Sequence, residues 1–391
     1  MNNIKKVYFD HNATTKVDDE VLDAMMPYFQ NDFGNPSSGH SLGITGRQAI
    51  NQAREQVADA TNVLPSQVIF TSGGSEANNL FIQGAAGYLK NTRIIVSAIE
   101  HPCILRPAKE MMQNINKKWD LRQLMVDKSG CIMMNDVDKA LAEFPPGIVS
   151  VMLANNETGV IQEVATIAEK SRKLNALVHT DAIQAFGKIP VNFPSLNVHA
   201  MTLSSHKIYG PKGAAALIID KELILKPQIY GGGHENGLRS GTENVPAIVG
   251  FGKACELSKL RIRESSTQIK NLRMHLEKKL IEMGAIIFGA HTNRIPNTCY
   301  FALQNIEGET LVTNLEKAGF AIASGAACSS ATPGKSHVLD AMGVDPALAR
   351  CAVRISLGSS NTLEQINNFI SSLTNITIEL KRISSIMIEE E

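Results

Sequence analysis

The 391-residue sequence has no excess of either charge, with 38 basic side chains against 38 acidic ones. A net charge of zero removes the broad electrostatic attraction that nucleic-acid and anionic-membrane binders use, so neither kind of direct partner is expected. No run of about 18 apolar residues occurs, which excludes a helical membrane span from the expectation. The lysines among the first ten residues are not followed by a long apolar stretch, unlike a secretory signal. The six cysteines (Cys103, Cys131, Cys255, Cys299, Cys328 and Cys351) include no Cys-x-x-Cys pair and no tight framework. Scattered thiols in a chain this long point to reduced cysteines and a cytoplasmic location, and no metal site is expected. Internal repeats and low-complexity tracts are also missing.

What is present is an alternation of short apolar runs and amphipathic stretches. Gln67–Ser72, Arg93–Ile99, Ile148–Ala154, Ala176–Thr180, Ala200–Ser204 and Ala214–Asp220 are short, β-branched and bounded by turn residues, and they read as strands. Helical patterns between them, such as Glu163–Leu174, imply an α/β domain with a large mixed, mostly parallel sheet. A long helical stretch follows, from about Val245 to Met283. Thr298–Leu303 and Ala352–Leu357 then read as strands and Leu363–Ile383 as a closing helix. The expected division is a large domain over 15–259 and a smaller α+β domain built from 1–14 and 260–391.

In such sheets ligands collect at the carboxyl ends of the strands. The residues that follow the strand runs are Gly73-Gly74-Ser75, Glu100-His101, Asn155-Asn156, Asp181 and His206-Lys207. A parallel sheet would bring all of them to one edge. Lys207 closes Ser204-Ser205-His206-Lys207 at the end of a buried strand. Desolvation lowers a lysine pKa, and a neutral amine forms Schiff bases; a solvated lysine in a turn is the alternative. Asp181, 26 residues earlier, can hold a proton on a pyridinium nitrogen or cap a helix. Gln184 can reach a phenolic oxygen on the same ring. Gly74 and Ser75 open a helical pattern whose N–H groups suit a phosphate. His101 can stack on a flat ring and move protons, or can be hydrogen-bonded at a strand end. Cys328 sits in a stretch of small and turn-forming residues, where a thiol can attack a substrate and deliver its product elsewhere. Cys299 and Cys351 look structural. Arg354, inside an apolar strand, needs a partner, either a substrate carboxylate or a structural acid.

Taken together, these residues resemble the NifS/IscS group of cysteine desulfurases, in the class V aminotransferase family. The likeness runs nearly end to end, through Asp10-His11-Asn12-Ala13-Thr14-Thr15, Gly34-Asn35-Pro36-Ser37-Ser38, the stretch from Ser204 to Gly213, Gly231-Gly232-Gly233-His234-Glu235 and Arg239-Ser240-Gly241-Thr242-Glu243-Asn244. The resemblance implies the fold type I (aspartate-aminotransferase-like) architecture, a homodimer, and pyridoxal 5'-phosphate as cofactor. It implies that Lys207 bonds the cofactor, His101 stacks on it, Asp181 pairs with the ring nitrogen and Gln184 with the phenolic oxygen. Asn155 would lie beside ring and substrate. Gly74, Ser75, Ser204, Ser205 and His206 would surround the phosphate, with Thr242 serving the phosphate site of the neighbouring subunit. Arg354 would hold the carboxylate of L-cysteine. Cys328 would carry a persulfide to an acceptor protein, such as an iron–sulfur scaffold or a thiolation carrier. Three departures from the family pattern are small: Ser75 in place of threonine, Gly325-Ala326-Ala327-Cys328-Ser329-Ser330 in the nucleophile loop, and Pro102-Cys103 after the stacking histidine. The long loop around Cys328 resembles the IscS-like branch rather than the SufS-like one. An aminotransferase of the same fold would need no such thiol.

Overall fold

A computed structural model describes residues 6–89, 92–113, 119–324 and 336–389, with side chains described up to 382. The central sheet has seven strands: β1 (Val68–Thr71), β2 (Arg93–Ser97), β3 (Asp120–Leu124), β4 (Ile148–Ser150), β5 (Leu177–Asp181), β6 (Ala200–Ser204) and β7 (Ala215–Ile219). Their order across the sheet is β1-β7-β6-β5-β4-β2-β3. Six of them run the same way. The exception is β7, antiparallel to both β1 and β6. Only ten residues separate β6 from β7. That connection is too short for the helical crossover a parallel pair requires, so the chain turns back on itself. The remaining pairs, β6–β5, β5–β4, β4–β2 and β2–β3, are parallel.

Helices cover both faces of the sheet, as a mostly parallel sheet demands. Five of the strands are buried along their whole length. The edge strands are β1, which is buried, and β3, which is partly exposed and carries Asp120, Arg122 and Gln123. Among the flanking helices, Gly74–Ala86 follows β1 and Pro102–Met111 follows β2.

The helix Val245–Glu282 starts on Asn244, whose side chain accepts the N–H of Ala247, with Pro246 in the first turn where its missing N–H costs nothing. Its first half packs Ile248, Phe251 and Leu257 into the core of the large sheet. Its second half packs Ile269, Leu276 and Leu280 into a second core with Phe9, Phe301, Phe320, Ile355 and Phe369. Around that second core lie an antiparallel sheet (Ala323–Ser324, Ala352–Ser356, Thr298–Ala302 and Ile286–Ile287) and the helices Gly308–Lys317 and Leu363–Glu389. The N-terminal Val7–Tyr8 pairs in parallel with Phe320–Ala321. From there the chain carries Asp10 to Thr15 back to the carboxyl edge of the large sheet, where Thr15 N donates to the carbonyl of His206. Among the described residues, no helix is long and apolar enough to cross a membrane.

Candidate active site

Because β1, β2, β4, β5 and β6 all point the same way, their carboxyl ends meet. There they line a cavity of about 260 Å³ formed by Gly74, Ser75, His101, Cys103, Met152, Ala154, Asn156, Asp181, Ile183, Gln184, Ser204, His206 and Lys207. Its size lies near the lower end of the range for small-molecule sites, about 300–1,000 Å³. Of the residues singled out in the sequence, it brings together Gly74, Ser75, His101, Asp181, Gln184, Ser204, His206 and Lys207.

Asp181 ends β5 and is buried. One oxygen accepts the backbone N–H of Ile183 at 3.0 Å, and the other accepts from Asn78 Nδ2 at 2.8 Å. Burial pushes its carboxyl up, against the opposing pull of those bonds and of His101 and Lys207. A cation placed against this desolvated carboxylate would relieve the strain on its charged form. Lys207, just past β6, donates to the carbonyls of Asn12 at 2.5 Å and Ala13 at 2.7 Å. The N-terminal segment therefore fixes the amine at the cavity wall.

The helix Gly74–Ala86 begins at the cavity with no side-chain cap. Its first N–H groups are the natural partner of an anion, and Ser75, Ser204 and His206 stand around the same end. A Cβ on Gly74 would meet the Ile183 Cδ1 methyl at 2.3 Å, so a side chain there would first have to turn the end of Ile183 aside. Burial and Lys207 push the His206 imidazole down to about 4, leaving it neutral, and its Nδ1 lies 3.1 Å from Thr14 Oγ1. His101 caps the helix Pro102–Met111 through Nδ1, which accepts the N–H of Cys103. Burial lowers its pKa; Asp181 opposes this, and Lys207 reinforces it.

An anion-binding helix end, a buried carboxylate and a lysine amine thus surround one cavity. This donor set fits a flat heterocycle with a phosphate at one end, a basic ring nitrogen and an aldehyde. The cofactor implied by the sequence has those three groups.

Other expected residues lie elsewhere. Asn155 does not line the cavity. Its amide donates to the carbonyl of Ile99, and its oxygen accepts from the N–H groups of Glu157 and Thr158. Its neighbour Asn156 takes the wall position. Ser205 is buried behind the wall, with its hydroxyl toward Gly210. Thr242 is exposed in the loop before the long helix. Arg354 meets Asp10 at 2.7 Å and donates to the carbonyl of Asn156 at 3.2 Å, which places it one residue behind the wall. Cys328 lies outside the described residues. The segment that carries it leaves from Ser324, in a strand paired beside Arg354, and returns at Ser336. There Ser336 donates to the Glu157 carboxylate, and His337 Nε2 lies 2.8 Å from the carbonyl of Glu100.

Sequence reasoning did not pick out four residues that shape the site. Asn12 joins Lys207 through its carbonyl to Lys188 (3.0 Å) and Asn297 (3.0 Å) through its side chain. Lys188 also holds the Gln184 amide at 2.7 Å, which turns the Gln184 N–H group toward the carbonyl of Asn12. Asn78 holds Asp181, and Cys103 touches His101 at 2.9 Å. Asn12 had its place in the Asp10–Thr15 motif and Cys103 its departure from the family pattern after the stacking histidine; Lys188 and Asn78 had no signal.

Comparison with known proteins places this geometry among related chains. The family model described as "Aminotransferase class-V" matches residues 7–369. A protein named "Cysteine desulfurase IscS" from Dictyoglomus turgidum is 38% identical over 386 residues, covering 97% of this chain and 96% of that protein. A protein of the same name from Methanosarcina thermophila is 37% identical over 389 residues, covering 99% and 95%. Among solved structures, a "NIFS-LIKE PROTEIN" superposes with a TM-score of 0.89 at 37% identity, over 95% of this chain and 99% of that one. The structure "SspA in complex with cysteine" gives a TM-score of 0.78 at 32% identity, over 91% and 99%.

Proposed function

The chain belongs to the class-V aminotransferase family, and on that premise we propose that it is a cysteine desulfurase. It converts L-cysteine to L-alanine and holds the sulfur on Cys328 as a persulfide before passing it to an acceptor protein. The observation that carries this reading is the placement of Lys207 and Asp181 at adjacent strand ends on one cavity. The full-length likeness to proteins named cysteine desulfurase supports the substrate.

Pyridoxal 5'-phosphate would be held by Lys207, by Asp181 at the ring nitrogen, by Gln184 at the phenolic oxygen, and by Gly74, Ser75, Ser204 and His206 at the phosphate. When bound, it supplies an electron sink that makes the α-proton of an amino acid removable and the Cβ–S bond labile. The chain's own residues do the rest. The Lys207 amine, once free, takes the α-proton. His101 covers one face of the ring and handles a proton at the substrate sulfur. Arg354, which Asp10 holds one residue behind the wall, binds the substrate carboxylate. The Cys328 thiolate attacks the substrate sulfur: the Cβ–S bond breaks, an S–S bond forms, and the carbon gains a hydrogen to become the methyl of alanine.

The acceptor is an iron–sulfur scaffold or a thiolation carrier. A second copy of the chain would bring its Thr242 to the phosphate end of this site.

Activity of two variants tests the reading. Cys328→Ala should keep the visible absorbance of the bound cofactor while releasing neither alanine nor sulfide from cysteine. Lys207→Ala should lose that absorbance in its normal form. Normal turnover in Cys328→Ala would remove the thiol from the reaction.

A further inference from the structure

Asp181, Asn78, Cys103 and His101 form one chain of donors and acceptors along the cavity wall. The Asn78 side chain is fully buried, and its Nδ2 donates to Asp181 Oδ2 at 2.8 Å. The carboxylate decides which way that amide points, because an amide oxygen facing it would be repelled. The same Nδ2 lies 3.0 Å from Cys103 Sγ, so its second N–H goes to the sulfur. The thiol's own proton then has two possible acceptors, His101 Nδ1 at 2.9 Å and Asp181 Oδ2 at 4.0 Å. The shorter contact takes it. Burial and the nearby Asp181 charge keep this thiol protonated, well above its ordinary value.

His101 Nδ1 also receives the backbone N–H of Cys103 at 3.2 Å. A backbone N–H can only donate, so Nδ1 must offer a lone pair. Two donors therefore converge on Nδ1, one from the helix start and one from the thiol. The hydrogen of the neutral ring has only Nε2 left to occupy.

We propose that Cys103 is a positioning residue that locks His101 in its Nε2–H tautomer, so that the ring nitrogen turned away from the helix presents a hydrogen. Under the desulfurase reading, that hydrogen is what His101 offers to the substrate sulfur. Only this consequence rests on that reading, since the tautomer belongs to the protein without cofactor or substrate.

The charged groups around the ring are Asp181, which favours the imidazolium, and Lys207, His337 and Arg106, which disfavour it together with burial. The thiol adds to the second group, because protonation at Nδ1 must displace its hydrogen. Losing one such bond is worth roughly half to one pH unit in the ring's midpoint.

The test is nitrogen-15 NMR of histidine-labelled full-length protein, with and without cofactor, using His101→Gln for assignment. Wild type should show His101 protonated at Nε2 and bare at Nδ1. Cys103→Ala should raise its titration midpoint by roughly half to one unit, and Cys103→Ser, which restores a donor, should bring it back. A hydrogen on Nδ1 in wild type would overturn the proposal. So would equal midpoints in wild type and Cys103→Ala, or a Cys103→Ser midpoint matching that of Cys103→Ala. The cofactor-free spectra involve no turnover, so a failure of desulfurase activity and a failure of this proposal are read separately.

Discussion

Glu100, next to His101, is fully buried, with Oε1 accepting from Ser97 Oγ at 2.6 Å and Met152 N at 2.7 Å. Burial outweighs both bonds and pushes the carboxyl up to about 8 from an ordinary 4.5. Between those two values the folded protein keeps a proton that the unfolded chain gives up. The associated stability is complete below the unfolded value and drains away as pH rises toward 8. Glu100→Gln, which stays neutral, should flatten the decline in denaturant midpoint between pH 5 and pH 8. Equal declines in the two proteins would show that Glu100 ionises freely in the fold. His179 is the opposite case. Burial pushes it down to about 3, and the neutral ring bridges Ser150 and Thr202 at 2.9 Å each, tying β4, β5 and β6 together. Neither environment is legible in the sequence, because each depends on partners brought in by other strands.

At the scale of elements, the strands were readable where burial is complete. Ala200–Ser204 matched residue for residue, six more matched to within two residues at each end, and Ile148–Ala154 ran four residues past its strand. β3 escaped detection because a strand that is only partly buried needs no continuous apolar run, and Asp-Leu-Arg-Gln-Leu has none. The reversed direction of β7 follows from the length of its connection, not from its composition. Lys207, Asp181, Gly74 and His101 were legible because strand ends are where an α/β sheet puts its chemistry. Asn78, Cys103 and Lys188 were not, because their significance lies in contacts with side chains far along the chain or in hydrogen-bond geometry. One long-range pair holds the loop that leads to Thr242. Glu235, at φ 49°, accepts two bonds from Arg54 (2.7 and 2.8 Å) and one from the N–H of Phe70 (2.8 Å). Glu235→Ala would strand the Arg54 guanidinium in a largely buried place. The expected loss is about 3–5 kcal/mol, read as a lower urea midpoint. A change under about 1 kcal/mol would mean that solvent replaces the carboxylate.

For the whole molecule, two cores share one long helix, and the buried face passes from one core to the other between Leu257 and Ile269. The proposed division at 259/260 falls inside that stretch. The cavity opens on the large core, and Arg354 comes from the smaller part; the Cys328 segment leaves the smaller part at Ser324 and returns at Ser336, where the helix His337–Ala341 packs Val338 and Leu339 into the large core. In the proposed reaction the large core holds the cofactor, the smaller part brings the arginine for the substrate carboxylate, and the thiol segment spans the two. Ser37 Oγ lies 3.1 Å from His234 Nε2 and joins two segments that also carry Phe33 and Tyr230, each 68% exposed. A second copy of the chain would cover these rings. Sedimentation should therefore give twice the chain mass at micromolar concentration, and Phe33→Glu with Tyr230→Glu should shift it toward the monomer. A monomeric wild type would remove Thr242 from the proposed phosphate site.

The most direct measurement is to load the protein with pyridoxal 5'-phosphate, reduce it with borohydride, digest it and locate the modified lysine by mass spectrometry. The added mass should fall on the peptide containing Lys207, and an Asp181→Ala variant should bind the cofactor more weakly. Modification at Lys188 or another lysine, with Lys207 unmodified, would contradict the assignment of the site.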